Sequence, residues 1–310
     1  MVSIIMATYN RAHFIEETIQ SILNQVYKSW ELLIVDDGSE DDTSQVLIPY
    51  LQDSRIRYLQ RSSSYKKGLP GCRNMGLDLA QGEFVIFFDD DDIVHPQNLR
   101  ISIDEIFSRP DLMFCRYRRE VFEGKFDKVF DTSKKLDSFS IQGLKNYSKL
   151  ITQELPFNSC SVLWRKECFN NIRFNEELMY AEEWECYTNI LTEGNNGISI
   201  DKTLYYGRKH AQSNTGEFYR GKPLRVQSHI KAAKSIIDIL NKKKLMTSRL
   251  FKYFAWMAVL LESKSLYKYL DKHSSIDYYT TSKTALVYYL SPVVLILMRF
   301  KKRLVVKNII

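Results

Sequence analysis

The stretch from residue 83 to residue 92 constrains the fold of this chain more than any other. Five apolar residues, Phe84 to Phe88, run directly into four consecutive aspartates, Asp89 to Asp92. An uninterrupted apolar run of this length, rich in Val, Ile and Phe, predicts a strand that is covered on both faces. Four carboxylates at the end of a buried strand repel one another unless water or a counter-charge separates them. The run is therefore either a solvated acidic turn or the site of a hard divalent cation such as Mg²⁺ or Mn²⁺.

Strands and helices alternate along the first hundred residues. Strands are predicted at Val2–Met6, Trp30–Val35, Ile56–Leu59 and 83–88, and helices at Arg11–Gln25, Asp42–Leu51, Cys72–Ala80 and from about Pro96. This alternation predicts an α/β fold with a mostly parallel central sheet flanked by helices. Later strands are harder to place, although Phe157–Trp164 has the composition of one.

Polar clusters follow three of the predicted strands, at Ala7–Arg11, Asp36–Ser39 and Asp89–Asp92. Ligands of open α/β sheets bind beyond the carboxyl ends of the strands, so we expect the three clusters to meet. Their order favours a ligand site over a solvated turn at the aspartate run. The sequence has neither a GxGxxG after the first strand nor a GxxxxGK[ST] motif, which argues against a dinucleotide Rossmann site and a P-loop.

Charge divides the chain into two parts. Residues 220–310 contain 19 Lys and Arg and 4 Asp and Glu. Residues 1–219 contain 25 Lys and Arg and 33 Asp and Glu. This asymmetry predicts a basic appendage on an acidic body, with nucleic acid or an anionic membrane as its usual partners.

The five cysteines are an odd number and include no CxxC pair. This pattern argues against a disulfide framework and against a zinc site, and it favours a reducing compartment. The N-terminus has no basic start and no long apolar run, so it is not predicted to be a signal peptide.

The ordered motifs at 2–11, 32–39 and 72–92 resemble those of family 2 glycosyltransferases of the GT-A fold. The resemblance covers roughly residues 1–215. It implies a catalytic domain at 1–219, with a nucleotide-sugar half at about 1–109 and an acceptor half at about 110–219, followed by the basic helical region 220–310.

The resemblance further implies that a nucleotide diphosphate sugar, usually UDP-linked, binds in the N-terminal half. Thr8 and Tyr9 match positions that line the base pocket, and Asp37 matches an aspartate that accepts a hydrogen bond from uracil. Arg11, in the first polar cluster, is assigned to the same substrate. Arg73, at a helix start, would add charge-assisted contacts near the pyrophosphate, or would be an ordinary surface arginine.

Within the aspartate run, Asp89 and Asp91 match the family's DxD pair. Side chains alternate along an extended segment, which predicts that Asp89 and Asp91 point to one side and Asp90 to the other. Asp91 is the predicted ligand of the divalent cation, Mg²⁺ or Mn²⁺, while Asp89 and Asp90 are assigned to substrate contacts. Such a cation would offset the charge that develops on the departing UDP.

The predicted general base is Glu183. The family carries Glu-Asp at this place, and here the pair is Glu182-Glu183, so the base gains one methylene of reach. A helix-start carboxylate that complements the macrodipole is the alternative. Farther along, Arg208 and His210 match the end of the family's catalytic domain and could close over the diphosphate or metal, or could be structural.

The C-terminal region contains 14 uncharged residues, Ala285–Met298, followed by a cluster of cations. This stretch is shorter than the about 20 residues that a spanning helix needs. Its tyrosines and adjacent cations favour a helix that lies on an anionic membrane surface over a nucleic-acid site. A core helix or a dimer interface is the alternative, and the sequence leaves the oligomeric state open.

These inferences together predict an inverting, metal-dependent glycosyltransferase. Its acceptor would be a membrane- or lipid-linked surface glycan. The enzyme would be cytoplasmic and peripherally bound to the inner face of the cell membrane. Two alternatives stay open. A nucleotidyltransferase can share this architecture, although Ala7–Arg11 lacks the glycine-rich basic loop that it needs. A catalytically impaired nucleotide-sugar-binding protein, tethered to a membrane by its basic region, is the other.

Overall fold

The computed structural model of the protein describes residues 1–107, 109–133, 135–210 and 213–273. The described strands are β1 (Val2–Thr8), β2 (Trp30–Asp36), β3 (Ile56–Gln60), β4 (Phe84–Phe88), β5 (Ile93–Val94), β6 (Phe114–Glu123), β7 (Ser138–Ile141), β8 (Val162–Arg165) and β9 (Gly197–Lys209). The described α-helices are α1 (Ile15–Leu23), α2 (Thr43–Leu47), α3 (Leu69–Leu79), α4 (Asn98–Phe107), α5 (Gly143–Ile151), α6 (Glu182–Thr192), α7 (Asn214–Tyr219), α8 (Pro223–Lys242), α9 (Ser248–Leu260) and α10 (Lys264–His273).

These strands form one sheet in the order β3-β2-β1-β4-β8-β6-β9-β5, with β7 paired to β9. The first four strands in that order are parallel, as are β6 and β9, while β8, β5 and β7 pair antiparallel with their neighbours. Every residue of β2 and β4 is buried, because helices cover both faces of this part of the sheet. The predicted α/β fold class is confirmed.

The predicted elements of the N-terminal half are present, with shifted bounds. The helix predicted at Arg11–Gln25 is the shorter α1, because the chain turns through residues 12–14 before the helix begins. The helix predicted at Asp42–Leu51 is α2 followed by a 3₁₀ helix, Ile48–Gln52. Pro49 explains the change, since it has no amide hydrogen to donate to an α-helical ladder.

Helix α3 packs directly on β1, and this contact requires a glycine. A Cβ at Gly76 would lie 2.4 Å from Cγ2 of Ile5, closer than carbon atoms approach. The absent side chain lets the helix lie against the strand. The start of α3 is thereby held next to the carboxyl ends of the parallel strands.

The described chain divides into two compact units, Met1–Ser228 and a second unit that begins at His229. In the second unit, α9 packs against α10, and the hydroxyl of Tyr269 donates to the carboxylate of Asp238 in α8. Among the described residues, no helix has the length and apolar character that crossing a membrane requires. The Ala285–Met298 stretch and the cations after it lie outside the described residues. The predicted domain bounds stay a prediction.

Candidate active site

A cavity of about 350 Å³ opens where β1, β2 and β4 end and where α3 and α6 begin. All eleven residues that the sequence analysis assigned to substrate, metal or base lie in its wall: Thr8, Tyr9, Arg11, Asp37, Arg73, Asp89, Asp90, Asp91, Glu183, Arg208 and His210. The three polar clusters at the strand ends therefore meet, as expected. The individual roles of these residues stay predictions.

The aspartate run folds as a turn at Asp90 and Asp91. Because this segment is not extended, the alternation that placed Asp89 and Asp91 on one side does not apply. Nε of Arg11 donates to Oδ1 of Asp90 over 3.2 Å, and Nε2 of His210 lies 2.9 Å from Oδ2 of Asp91. Asp90 and Asp91 are 7% and 9% exposed, so a solvated acidic turn is not what the chain forms.

The carboxylates of this turn are crowded. Burial, followed by the Asp91 carboxylate, raises the pKa of Asp90 to about 7. Burial and the same neighbour raise the pKa of Asp92 well above its usual range, although the amide of Arg208 donates to its Oδ1 over 2.6 Å. Nη2 of Arg119 lies 3.8 Å from the other oxygen of Asp92. Burial is thus the main cause of both shifts, and repulsion from the Asp91 carboxylate adds to it.

A hard cation fits this turn. Carboxylate oxygens of Asp89 and Asp92 and Sγ of Cys160 lie within 4.8 Å of one another. Oxygen ligands suit Mg²⁺ and Mn²⁺. Burial raises the pKa of the Cys160 thiol well above its usual value, so the sulfur stays protonated and is a poor ligand for such an ion. Asp91, the predicted ligand, pairs with His210 beside this group.

Arg73 joins three parts of the cavity wall. It lies on α3 with a side chain only 3% exposed; Nη1 donates to Oε1 of Glu182 over 2.9 Å, and Nη2 donates to Oδ1 of Asp89 over 3.3 Å. Rings of Phe87 and Phe174 lie 5.8 and 5.4 Å from its guanidinium carbon. Burial disfavours the charged form of Arg73, but Glu182 and Asp89 outweigh it and raise its pKa. The arginine is a buried bridge within the protein, not a surface residue.

Helix α6 brings two glutamates to the cavity with different surroundings. Ala181, with a left-handed φ of 64°, turns the chain into the helix. Both glutamates line the cavity, and the carboxylate of Glu182 is bound to Arg73. Burial, followed by the charge of Glu182, raises the pKa of Glu183 to about 8, while Arg73 acts to lower it. Of the two carboxylates, Glu183 is the one whose contacts leave it available to a substrate.

The model of glycosyl transferase family 2 matches residues 3–172. The chain belongs to this family. It is 31% identical to a GalNAc(5)-diNAcBac-PP-undecaprenol β-1,3-glucosyltransferase of Campylobacter jejuni, over 88% of each chain. It is 44% identical to the UDP-Glc:α-D-GlcNAc-diphosphoundecaprenol β-1,3-glucosyltransferase WfgD of Escherichia coli, over 63% of this chain and 71% of that protein.

Solved structures of similar fold carry nucleotide sugars. The crystal structure of S. aureus TarS 1–349 in complex with UDP-GlcNAc has a TM-score of 0.60 and 21% identity, and covers 87% of this chain and 89% of that one. A mannosyltransferase from Pyrobaculum calidifontis in complex with GDP-Man and Mn²⁺ has a TM-score of 0.56 and 15% identity, and the match covers 96% of this chain and 79% of that one. These likenesses agree with the GT-A type of fold.

In this family 2 chain, the first two polar clusters lie side by side. The amide of Asp37 donates to the carbonyl of Thr8 over 2.9 Å, which ties the ends of β1 and β2 together. Nε of Arg61 lies 2.5 Å from Oδ1 of Asp37 and holds that carboxylate in place. Tyr9 is 42% exposed, with Nζ of Lys67 at 5.0 Å from its ring centroid. Tyr9 and Asp37 both line the cavity, and their roles in a base pocket stay predictions.

Arg208 holds the acidic turn from the other side. Its Nε donates to the carbonyl of Asp91 over 2.9 Å, its Nη1 donates to the carbonyl of Gly124 over 2.6 Å, and its Nη2 pairs with Glu17. The ring of Phe14 lies 4.9 Å from the guanidinium carbon. All three nitrogens thus contact the protein itself, and Arg208 fixes the turn in place.

Part of the wall comes from segments that carry no motif. Arg225 is the clearest case: its Nε pairs with Glu217 over 3.0 Å, its Nη1 donates to the carbonyl of Met179, and its Nη2 donates to Oδ1 of Asn214 over 2.6 Å. It lies beyond residue 219, where the sequence analysis ended the catalytic domain. Further lining residues that the sequence did not reveal are Arg119, Ser159, Tyr180, Ser213 and Thr215.

Proposed function

We propose that this chain is an inverting, metal-dependent glycosyltransferase that moves a sugar from a UDP-sugar to a hydroxyl of a lipid-linked glycan. The observation that carries the proposal is the shared cavity, in which Glu183 lies in the same wall as the acidic turn and the residues predicted to bind the nucleotide. Membership of glycosyl transferase family 2 supports the type of reaction.

The relatives support the substrates. Both glucosyltransferases described above are named for undecaprenol diphosphate-linked acceptors, and the Escherichia coli protein is also named for UDP-Glc. UDP-glucose holds its sugar in α linkage, so the β-1,3 linkage in the name of the Escherichia coli protein has inverted configuration. A UDP-hexose and an acceptor glycan on a lipid diphosphate are therefore the substrates that we propose for this chain.

The proposed reaction is a direct displacement. The carboxylate of Glu183 accepts the proton of the acceptor hydroxyl, and the resulting oxygen attacks the anomeric carbon from the face opposite UDP. The new carbon–oxygen bond forms as the bond to the diphosphate breaks, and UDP leaves with the electron pair. No enzyme nucleophile takes part, because the configuration inverts in a single step.

The acidic turn supplies the proposed metal site. Asp91 is the proposed ligand, and the carboxylates of Asp89 and Asp92, which lie within 4.8 Å of each other, would share or orient the ion. A bound Mg²⁺ or Mn²⁺ would supply a positive charge next to the leaving diphosphate. Arg11 and His210 hold the turn by their contacts to Asp90 and Asp91.

We further propose peripheral association with an anionic membrane surface, on the cytoplasmic face where a lipid-linked acceptor is available. The excess of Lys and Arg in residues 220–310 supports this location. The proposed catalytic domain keeps its two halves, at about 1–109 for the nucleotide sugar and about 110–219 for the acceptor.

The deciding experiment measures UDP release and transfer from several sugar nucleotides to an undecaprenyl diphosphate-linked sugar. We expect turnover with a UDP-sugar that is lost on chelation of divalent cations and in Asp91→Asn. Transfer that persists in both conditions would overturn the metal site. Binding of UDP without turnover of any sugar nucleotide would instead favour the binding-protein alternative, and release of pyrophosphate the nucleotidyltransferase.

A further inference from the structure

Helix α9 exposes one narrow face of mixed character. Its exposed side chains from Arg249 onward are Arg249, Lys252, Trp256 and Leu260. The spacing of three, four and four residues places all four on the same side of the helix. We call these four residues the α9 face.

The apolar half of this face consists of two large side chains. Trp256 is 38% exposed and Leu260 is 49% exposed, one helical turn apart. The opposite side of the helix is occupied by the core of its unit, where Leu250, Phe254 and Ala258 are fully buried. Trp256 and Leu260 are therefore exposed on the side of the helix opposite to this core.

Charge indicates what this face contacts. Between residues 229 and 273 the chain holds ten Lys and Arg against three Asp and Glu. Cations beside a tryptophan and a leucine suit the boundary of an anionic lipid leaflet, where the indole ring lies at the headgroup level and cations meet lipid phosphates. An acidic protein groove would match the cations and the exposed indole equally. The proposed lipid-linked acceptor favours the lipid leaflet, because it brings the chain next to a membrane surface.

We infer that the α9 face is a membrane-docking surface that binds anionic lipid, with Trp256 and Leu260 in the headgroup region and Arg249 and Lys252 on lipid phosphates. This inference rests on the proposed membrane association and gives it a location in the described chain. It is separate from the Ala285–Met298 stretch, which the sequence analysis assigned to the same partner.

Tryptophan fluorescence can test this surface directly. The chain has four tryptophans, and three of them are buried, with exposed fractions of 1% for Trp30, 0% for Trp164 and 6% for Trp184. The full-length protein is mixed with vesicles of phosphatidylcholine, with or without phosphatidylglycerol, whose acyl chains carry bromine. We expect quenching and a blue shift of the emission with the anionic vesicles, and neither in Trp256→Phe.

Charge variants provide the matched control. Arg249→Gln with Lys252→Gln should lower the partition coefficient on anionic vesicles roughly thirty-fold. Lys268→Gln with Lys272→Gln removes two exposed lysines of α10 and should have a clearly smaller effect. Equal losses in the two double variants would show only a diffuse attraction and would overturn the assignment to the α9 face.

Two further outcomes would also overturn it. Vesicle binding without quenching would mean that another segment binds the membrane, or that the chain's own C-terminal residues cover the α9 face. The proposed membrane association would then hold, but the α9 face would not be the surface that binds. A blue shift that depends on protein concentration, and not on lipid, would assign the face to a second copy of the chain. UDP release with a water-soluble acceptor tests the proposed reaction independently of all these results.

Discussion

Oε1 of Glu182 accepts a hydrogen bond from Nη1 of Arg73 over 2.9 Å, and the two side chains are only 6% and 3% exposed. The pair joins α3 to the start of α6. It also accounts for the difference between the two glutamates of α6, because Glu182 is committed to the arginine and Glu183 is not.

Arg73→Met should destabilise the fold by about 3–5 kcal/mol, because it leaves the buried carboxylate of Glu182 without its partner. The free energy of unfolding in urea measures this loss. Adding Glu182→Gln removes the unpaired charge at nearly constant volume and should recover part of the stability. A double variant as unstable as Arg73→Met alone would mean that the lost packing of Arg73, and not the unpaired carboxylate, causes the effect.

Glu183→Gln should reduce the rate of sugar transfer by about 10²- to 10⁴-fold, since an amide cannot accept the proton of the acceptor hydroxyl. Binding of the UDP-sugar, measured by calorimetry, should change little. Glu182→Gln is the matched control one residue away, and its main effect should be on stability. A Glu183→Gln variant with full activity would exclude this residue as the base.

The pH dependence of the reaction follows from the same residue. Burial and the charge of Glu182 raise the pKa of Glu183 to about 8, so the carboxyl is mostly protonated at neutral pH in the free protein. Only the deprotonated form can act as a base, and kcat/KM should therefore rise with pH through about 8 and level off above it. Arg73 lowers this pKa, so Arg73→Met should move the rise to higher pH. A flat profile through this range would contradict the assignment.

The sequence predicted that the polar clusters after β1, β2 and β4 would meet, and this proximity has a physical reason. Parallel strands bring their carboxyl ends to one edge, so polar clusters that follow successive strands must meet there. Thr8, Asp37 and Asp89 lie at such strand ends, and the parallel arrangement of the strands alone explains why they are close together.

Part of the opposite wall was not predictable, because some of its residues come together only through tertiary packing. Arg225 reaches the cavity from the start of a helix and is held by the carbonyl of Met179, and nothing in the local pattern of either residue indicates the other. The bridge from Arg73 to Glu182 spans 109 positions along the chain. The prediction that Asp89 and Asp91 point to the same side assumed an extended segment, but the chain forms a turn at Asp90 and Asp91.

Arg208 offers a test that separates a structural arginine from a ligand-binding one. Arg208→Lys loses the planar fork that contacts Gly124 and Glu17 together, and should cost about 2–3 kcal/mol of stability. Because the arginine also donates to the carbonyl of Asp91, loosening of the turn should raise KM for the UDP-sugar more than it lowers kcat. Glu17→Gln keeps both carbonyl contacts and should show a smaller loss of stability with nearly normal KM. An Arg208→Lys protein with unchanged unfolding but a large loss in kcat would instead assign the guanidinium to the reacting diphosphate.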